Sequence, residues 1–464
     1  MPTPPSASRR RTIRRIGLAA TASAWGGTAP GADEPPRPDA AGVLRDRLAQ
    51  QGMGLLAVQV DGPRLRLTAV GRRGTDGASL TDDALFEIGS ITKTFTALLL
   101  ADAVVQRRLA LGDAVEEALP DVRVRDSAGE PIRWIDLATH RSGLPRLPDN
   151  LAPADPADPY AGYGEDHLLD FLRRHRAPRP RDSRWEYSNL GYGLLGYALG
   201  RSAGTTYAAL LQGRVLDPLG LGSALLAGAG HPGPARLVPG HAADGRPVPH
   251  WHFGVLAPCG ALLMGGADLG RYAQAALGLV DHPLHEAFAL AQREHAAGPG
   301  AANPIGLAWL RAPLNGRTVL NHDGGTFGFS SSLWLDPANR RAAAVLANAM
   351  VEVNDLALHL LEPTVPPKDL RATRQAAVPV EAEVLAPLAG TYALREDFAI
   401  TVRVREGRIF AQASGQGEFE LFANAPRRFF ARVTPLEIEF DAAPVPRRLT
   451  LRQGGQQLRF ERRP

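Results

Sequence analysis

Lysine is nearly missing from this chain. Of its 52 basic residues only two are lysine, Lys93 and Lys368, and the rest are arginine. Cysteine is scarcer still: Cys259 stands alone, which excludes any internal disulfide. Its neighbours Pro258 and Gly260 read as a loop or strand edge around an inert buried thiol. No cysteine follows the apolar stretch at residues 16–24, which argues against a lipid anchor there, and that stretch is too short for a stable membrane span. Basic stripes are lacking as well, so nucleic-acid binding has no support. The densest run, Arg173, Arg174, Arg176, Arg179 and Arg181, is broken by Pro178 and Pro180 and reads as a solvated face and turn.

Scarcity gives the surviving lysines meaning. A guanidinium stays protonated at any accessible pH, whereas a buried ammonium can give up its proton and take one from a neighbour. Lys93 lies in Ser90-Ile91-Thr92-Lys93, three residues after a hydroxyl. With two lysines and 15 serines, chance produces such a pair in roughly 6% of shuffled chains, so the pattern alone is only suggestive. Its setting adds weight. Phe95, Leu98, Leu99 and Ala103 recur at helical spacing, predicting a helix that Ser90 opens with one apolar face buried. Lys93 then sits one turn above Ser90, and the helix N-terminus offers N–H groups and partial positive charge to a developing oxyanion. Lys368, in Pro366-Pro367-Lys368-Asp369, reads as linker.

Arg9, Arg10, Arg11, Arg14 and Arg15 precede the apolar stretch, and Ala22-Ser23-Ala24 offers small residues for cleavage, the layout of an export signal over residues 1–24. Removing it takes five arginines from a formal charge of +4 and leaves about −1, so the basicity belongs to the leader. A periplasmic or secreted location follows as an expectation.

Residues 25–41 read as a linker, Pro-rich from 30 to 38, ahead of a main domain at 42–362. Strands are predicted at 55–60 and 65–70 around Asp61-Gly62-Pro63, with Leu65, Leu67 and Ala69 alternating against Arg64, Arg66 and Thr68 as in a half-buried edge. Residues 146–164, with Tyr160 and Tyr163, predict a long binding loop or lid. Helices follow at 192–199 and 207–216, then strands at 318–320, 331–335 and 343–347 and a helix at 353–361. A Pro-rich linker at 363–382 precedes short alternating runs at 400–404, 409–411, 436–440 and 449–451, punctuated by Glu406-Gly407 and Gly454-Gly455. The fold expected is α+β: an antiparallel sheet flanked by helices with an inserted helical subdomain, then a small all-β domain at 383–464, a barrel.

Two further clusters join the serine and lysine. In an extended segment Tyr187 and Asn189 face the same way, so the Tyr187 hydroxyl and the Asn189 amide are expected in one cleft. His322-Asp323-Gly324-Gly325-Thr326 closes a predicted strand, its glycines allowing backbone N–H groups near a ligand. At this point the chain resembles the class C β-lactamase and DD-peptidase family of serine hydrolases, which also holds esterases. The resemblance rests on Phe86-Glu87-Ile88-Gly89-Ser90-Ile91-Thr92-Lys93-Thr94-Phe95, Thr139-His140-Arg141-Ser142-Gly143-Leu144-Pro145, Tyr187-Ser188-Asn189 and His322-Asp323-Gly324-Gly325, in that order. It implies Ser90 as nucleophile, Lys93 and Tyr187 sharing general-base duty, and an oxyanion hole from the N–H groups of Ser90 and Gly325 behind Gly324. It also implies Asn189 on the substrate's acyl amide and His322 hydrogen-bonding toward Tyr187 or a substrate carboxylate.

The third motif departs from typical class C enzymes, which carry Lys-Thr-Gly there. A histidine near its ordinary pKa is mostly neutral at pH 7, which weakens the case for anionic antibiotics. Asp323 either holds His322 protonated or repels carboxylates, and both outcomes stay open at this stage. The implied protein is an exported serine hydrolase with an acyl-serine intermediate, acting without a cofactor on β-lactams or D-Ala-D-Ala-like peptides, hence on a small-molecule or peptidoglycan-peptide substrate. A carboxylesterase of the same fold is the alternative. A non-turnover penicillin-binding sensor is a further one, for which neither a receptor span nor a signalling module is present. No metal is expected: His250-Trp251-His252 lacks a spaced third ligand and reads as an exposed aromatic loop, and His282 and His285 are in the same position.

Overall fold

A computed structural model describes residues 38–463, apart from 51–52, 156, 176, 227–235, 301–302, 371–374, 396–397, 415–417, 433–435 and 454–455. The expected export signal and the Gly454-Gly455 turn lie outside the described residues. Helix α1 (Ala40–Gln50), unforeseen in the sequence, precedes strands β1 (Gly54–Asp61) and β2 (Arg64–Gly71). A helical region follows, including α2 (Thr92–Val105), α3 (Asn189–Ser202) and α4 (Gly266–Ala276). The chain then returns through β3 (Ala296–Gly300), β4 (Asn303–Ile305), β5 (Leu310–Leu314), β6 (Arg317–Gly325), β7 (Ser330–Asp336) and β8 (Arg341–Ala347) to α5 (Asn354–Leu361). Among the described residues these eight strands form one sheet in the order β2-β1-β8-β7-β6-β5-β4-β3. Its pairings are antiparallel, with β1 lying on β8 so that Leu55 faces Ala347 and Val60 faces Ala342.

The side-chain pattern explains why this sheet is covered twice. Alternate residues of a strand face opposite sides. On β1, Leu56, Val58 and Val60 join the large core beneath α2, α3 and α4, while Leu55 and Ala57 join a second core under α1 and α5. On β8, Ala342, Ala344 and Leu346 go one way and Ala343, Val345 and Ala347 the other. A strand apolar on both faces needs a layer on each. The second layer is pinned by Arg47 of α1, fully buried, whose guanidinium donates two bonds to the Asp355 carboxylate of α5 at 3.1 and 2.6 Å. Strand β2 closes the edge in the half-buried pattern expected, with Leu65 and Leu67 packed inward.

Helix α2 differs from expectation. It has no solvent face: every residue from Thr92 to Asp102 is buried. An all-round buried helix must satisfy its polar groups internally. Thr92 Oγ1 accepts from Leu262 N at 3.1 Å, Tyr272 donates to Thr94 Oγ1 at 2.9 Å, and Thr96 Oγ1 donates to Pro258 O at 2.8 Å. Phe95 stacks on Tyr272 with ring centroids 3.9 Å apart. The predicted 207–216 helix is interrupted: an α-turn at Tyr207–Leu211 widens to a π-turn at Gln212–Leu216 and ends on left-handed Gly220.

Beyond α5, eight strands between Gly390 and Arg462 close into an antiparallel barrel among the described residues, as the alternating runs foretold. Its interior is packed with side chains, among them Tyr392, Phe429, Phe440 and Phe460, so it is a core and not a pore. The alternation in Leu436-Glu437-Ile438-Glu439-Phe440 is read directly as inward and outward positions.

Candidate active site

Ser90 stands on a tight turn, Gly89–Ile91, that feeds α2. The short strand Leu85–Glu87 delivers this turn by pairing with Leu262–Gly265, and Ser331 Oγ of β7 donates to Ile88 O at 2.8 Å. Two glycines allow the close approach. Gly89 has φ +50, and a Cβ on it would meet Gly325 N at 2.5 Å; a Cβ on Gly324 would meet Ile88 O at 2.0 Å. A Cβ on Gly325 would make only an ordinary contact, 3.7 Å from Phe329 O, and the residue is exposed. The main chain around Ser90 is thus pressed against the end of β6, as an oxyanion site built from the Ser90 and Gly325 N–H groups requires.

Lys93 is fully buried, with Nζ 3.0 Å from Ser90 Oγ, 2.9 Å from Asn189 Oδ1 and 2.6 Å from Cys259 O. An ammonium has three donors, and here each meets an acceptor. The sequence pointed to Ser90 as a neighbour of Lys93, whereas Asn189 was expected on the substrate's acyl amide and its bond to Lys93 comes from the structure. The Cys259 carbonyl it did not reveal, because a main-chain acceptor carries no side-chain signature. Burial pushes the Cys259 thiol up, as fits an inert thiol.

Tyr187 and Asn189 both reach this centre, but not because one strand carries them. Tyr187 ends an extended segment, Ser188 caps α3 by accepting from Gly191 N at 2.8 Å, and Asn189 is the first helical residue. Asn189 accepts from Lys93 and donates to the Tyr160 hydroxyl at 2.9 Å, which leaves one amide hydrogen for a ligand. Tyr160, from the long 146–164 loop, packs on Phe253 and Trp251 and so ties that loop to the site. The Tyr187 ring lies 4.7 Å from Lys93 Nζ, and among the described residues its hydroxyl makes no hydrogen bond. Arg146, which the sequence reading passed over, holds its guanidinium 5.0 Å from the same ring centre.

His322 of β6 is buried, its ring 6.3 Å from that of Tyr187. Its Nδ1 lies 2.7 Å from Asp323 O, and a carbonyl only accepts, so Nδ1 carries the proton. Burial, then the nearby Lys93 charge, push its pKa down to about 3. His322 is therefore neutral, with Nε2 an acceptor. The question about Asp323 closes accordingly: its carboxylate turns to Ser332 and Asn354 and does not keep His322 protonated. Of the two partners expected for His322, the Tyr187 phenol matches a bare acceptor and a carboxylate does not.

The His250-Trp251-His252 segment corrects one expectation. Trp251 is half-buried and packed on the core, His250 Nδ1 lies 2.7 Å from Glu87 Oε1, and His252 Nδ1 lies 2.6 Å from Asp158 Oδ2. It braces the loop and the Ser90 strand. His282 and His285 stack on each other at 3.9 Å, with His282 bonded to Ala275 O.

Comparison with known proteins places the chain in a family. The family model described as Beta-lactamase matches residues 41–362. Penicillin-binding protein 4 of Amycolatopsis lactamdurans is 30% identical over 73% of this chain and 92% of its own. The D-alanyl-D-alanine-carboxypeptidase/endopeptidase AmpH of Escherichia coli is 26% identical over 67% of this chain and 84% of its own. In fold, the octameric penicillin-binding protein homologue from Pyrococcus abyssi superposes with TM-score 0.63 at 19% identity, covering 91% of this chain and all of that one. With the family model matched over residues 41–362 and a relative 30% identical over 73% of the chain, the chain belongs to the β-lactamase family of serine hydrolases.

Proposed function

We propose that Ser90 is the acylated nucleophile and Lys93 its direct base, acting on D-Ala-D-Ala-like peptides or β-lactams. The observation that carries this is the 3.0 Å contact between a fully buried Lys93 Nζ and Ser90 Oγ. Once the Lys93 ammonium has released a proton to solvent, its two remaining hydrogens stay on Asn189 Oδ1 and the Cys259 carbonyl, and the Ser90 hydroxyl proton passes to the Nζ lone pair while Oγ bonds to the substrate carbonyl carbon. The oxyanion so formed is met by the Ser90 and Gly325 N–H groups. Collapse expels the amine, which takes that proton back from Lys93, either directly or through the Tyr187 phenol, which gives its own proton to the amine and is recharged by Lys93. Water then attacks the acyl-Ser90 ester and returns Ser90 Oγ–H. Asn189 orients Lys93 and offers its remaining amide hydrogen to the acyl side chain, and His322 Nε2, a bare acceptor, would take the Tyr187 hydroxyl once substrate brings the phenol toward it.

Support for these substrates comes from the relatives named for penicillin binding and D-Ala-D-Ala cleavage. Arg146 would supply the permanent cation that the third motif lacks. Neutral His322 favours a second reading, a carboxylesterase taking uncharged acyl groups. Mass spectrometry after penicillin treatment is expected to find the drug on the Ser90 peptide, and an unlabelled Ser90 would defeat the first reading. A kinetic comparison of nitrocefin, a D-Ala-D-Ala peptide and p-nitrophenyl esters separates the two, the ester reading requiring turnover of esters alone.

The catalytic body at 42–362 and the barrel at 383–464 are proposed as the functional division of the chain, with export directed by residues 1–24. The arginine cluster and apolar stretch support that last assignment. Among the described residues no helix is long and apolar enough to cross a membrane.

A further inference from the structure

The second sequence motif, Thr139-His140-Arg141-Ser142-Gly143-Leu144-Pro145, holds no group in the reaction just described, yet its neighbour Arg146 and the motif itself run alongside the Tyr187 segment. Pro145 O accepts from Ser188 Oγ at 2.6 Å, and Arg146 O accepts from the N–H groups of Asn189 and Leu190 at 3.0 and 3.1 Å. His140 is at the centre of this contact. It is a non-glycine residue with φ +60, a region that most side chains avoid and histidine tolerates better than most.

From that backbone position His140 reaches both flanks of Tyr187. Its carbonyl accepts from Glu186 N at 2.8 Å, and its ring Nδ1 accepts from Ser188 N at 3.1 Å. The ring itself lies on the Tyr187 ring with centroids 4.5 Å apart and planes tilted 31°, and Tyr192 backs it at 4.9 Å. Tyr192 is locked in turn by its hydroxyl bond to Ala138 O at 2.7 Å. Because Nδ1 accepts, the proton of the neutral imidazole is on Nε2, which is buried and meets no acceptor among the described residues. A buried donor left without a partner is uncommon in folded proteins. Simple structural economy would favour an apolar ring here, so the histidine is explained by its Nδ1 acceptor.

We propose that His140 is the positioning residue of Tyr187: it grips the backbone on both sides of the tyrosine and presses a neutral ring on its face, which fixes where the phenol stands relative to Ser90 and Lys93. This rests on the reading that Tyr187 acts at Ser90. It makes the 139–145 motif a template for the Tyr187-Ser188-Asn189 motif, two segments that meet only in the folded chain. A misplacement of about 1 Å at a catalytic group can lower a rate roughly 100-fold, so the support matters to turnover.

The test is a double-mutant cycle with p-nitrophenyl ester turnover in the full chain. His140→Asn keeps an acceptor for Ser188 N–H and removes the ring; His140→Ala removes both, and thermal melting checks that each folds. His140→Asn is expected to lower kcat roughly 10- to 100-fold with KM within about threefold, and Tyr187→Phe is expected to cost far less in that background than in the parent. If the two substitutions multiply independently, His140 does not act through Tyr187 and the proposal is overturned. If Tyr187→Phe alone leaves kcat unchanged, the reading of Tyr187 fails first and the proposal with it. Should His140→Ala not fold, the cycle with His140→Asn still decides.

Discussion

Lys93 sits where three acceptors converge on one nitrogen: a hydroxyl, an amide oxygen and a main-chain carbonyl. A compact ammonium on a flexible stem fits such a site, and a planar guanidinium fork does not. Lys93→Arg is therefore expected to lower kcat/KM roughly a thousandfold although the charge is kept, measured with a p-nitrophenyl ester. Activity within threefold of the parent would sink the proton-acceptor argument. His322 makes a second prediction at this scale. The folded protein refuses a proton on His322 until about pH 3, whereas the unfolded chain takes one near 6.5. Its burial thus weighs against folding as pH falls below 6.5, and His322→Gln is expected to lose less stability than the parent between pH 6.5 and 4, by urea unfolding at each pH. Equal losses would mean that His322 gains its charge in the folded state. Ser90 and Lys93 were legible because their chemistry is written in the side chains and a helix sets their spacing. The Cys259 carbonyl, Arg146 and His140 were not, since their parts depend on where the main chain turns.

Among elements, the strands rich in alternating apolar residues were readable, and β1, β2, β6, β7 and β8 lie where the pattern put them. Strands β3 to β5 were not foreseen. Their segments, Ala296–Gly300, Asn303–Ile305 and Leu310–Leu314, carry proline or glycine and show no apolar alternation, so no strand pattern marks them. Helix α2 looked one-sided because its buried threonines count as polar, and only their internal partners make them core. A testable junction lies at the start of β6, where Arg317 bonds Asp336 at 2.6 Å and Glu362, just after α5, at 2.8 Å. The Arg317 hydrogen bond, against some burial, holds Glu362 down to about 2 from an ordinary 4.5. A depressed carboxylate stabilises above its unfolded pKa and loses that contribution as pH falls through the folded one. Glu362→Gln is expected to narrow its stability gap with the parent as pH drops from 4.5 to 2, read by thermal melting. A gap constant with pH would show the ion pair to be idle.

For the whole molecule, the barrel has its own core, separate from the two cores around the sheet. Proteins with independent cores often depart from two-state unfolding. Calorimetry is expected to show a total enthalpy larger than the van't Hoff value. Phe429→Ala, at a fully buried barrel position, is expected to destabilise only the barrel transition by about 3–5 kcal/mol. A single cooperative transition lowered as a unit would show that the barrel and the body fold together.

By itself the sequence determined the class of fold, a sheet and then a barrel, and singled out the residues proposed for the chemistry: a serine and a lysine one turn apart, with a tyrosine, an asparagine and a histidine in order behind them. Local spacing and alternation specify such features because they depend on neighbours in the chain. Only the tertiary structure decided that His322 is neutral, that Lys93 meets a third acceptor, and that His140 grips the tyrosine segment. Those outcomes rest on burial and on contacts between segments tens to hundreds of residues apart, which no local pattern encodes.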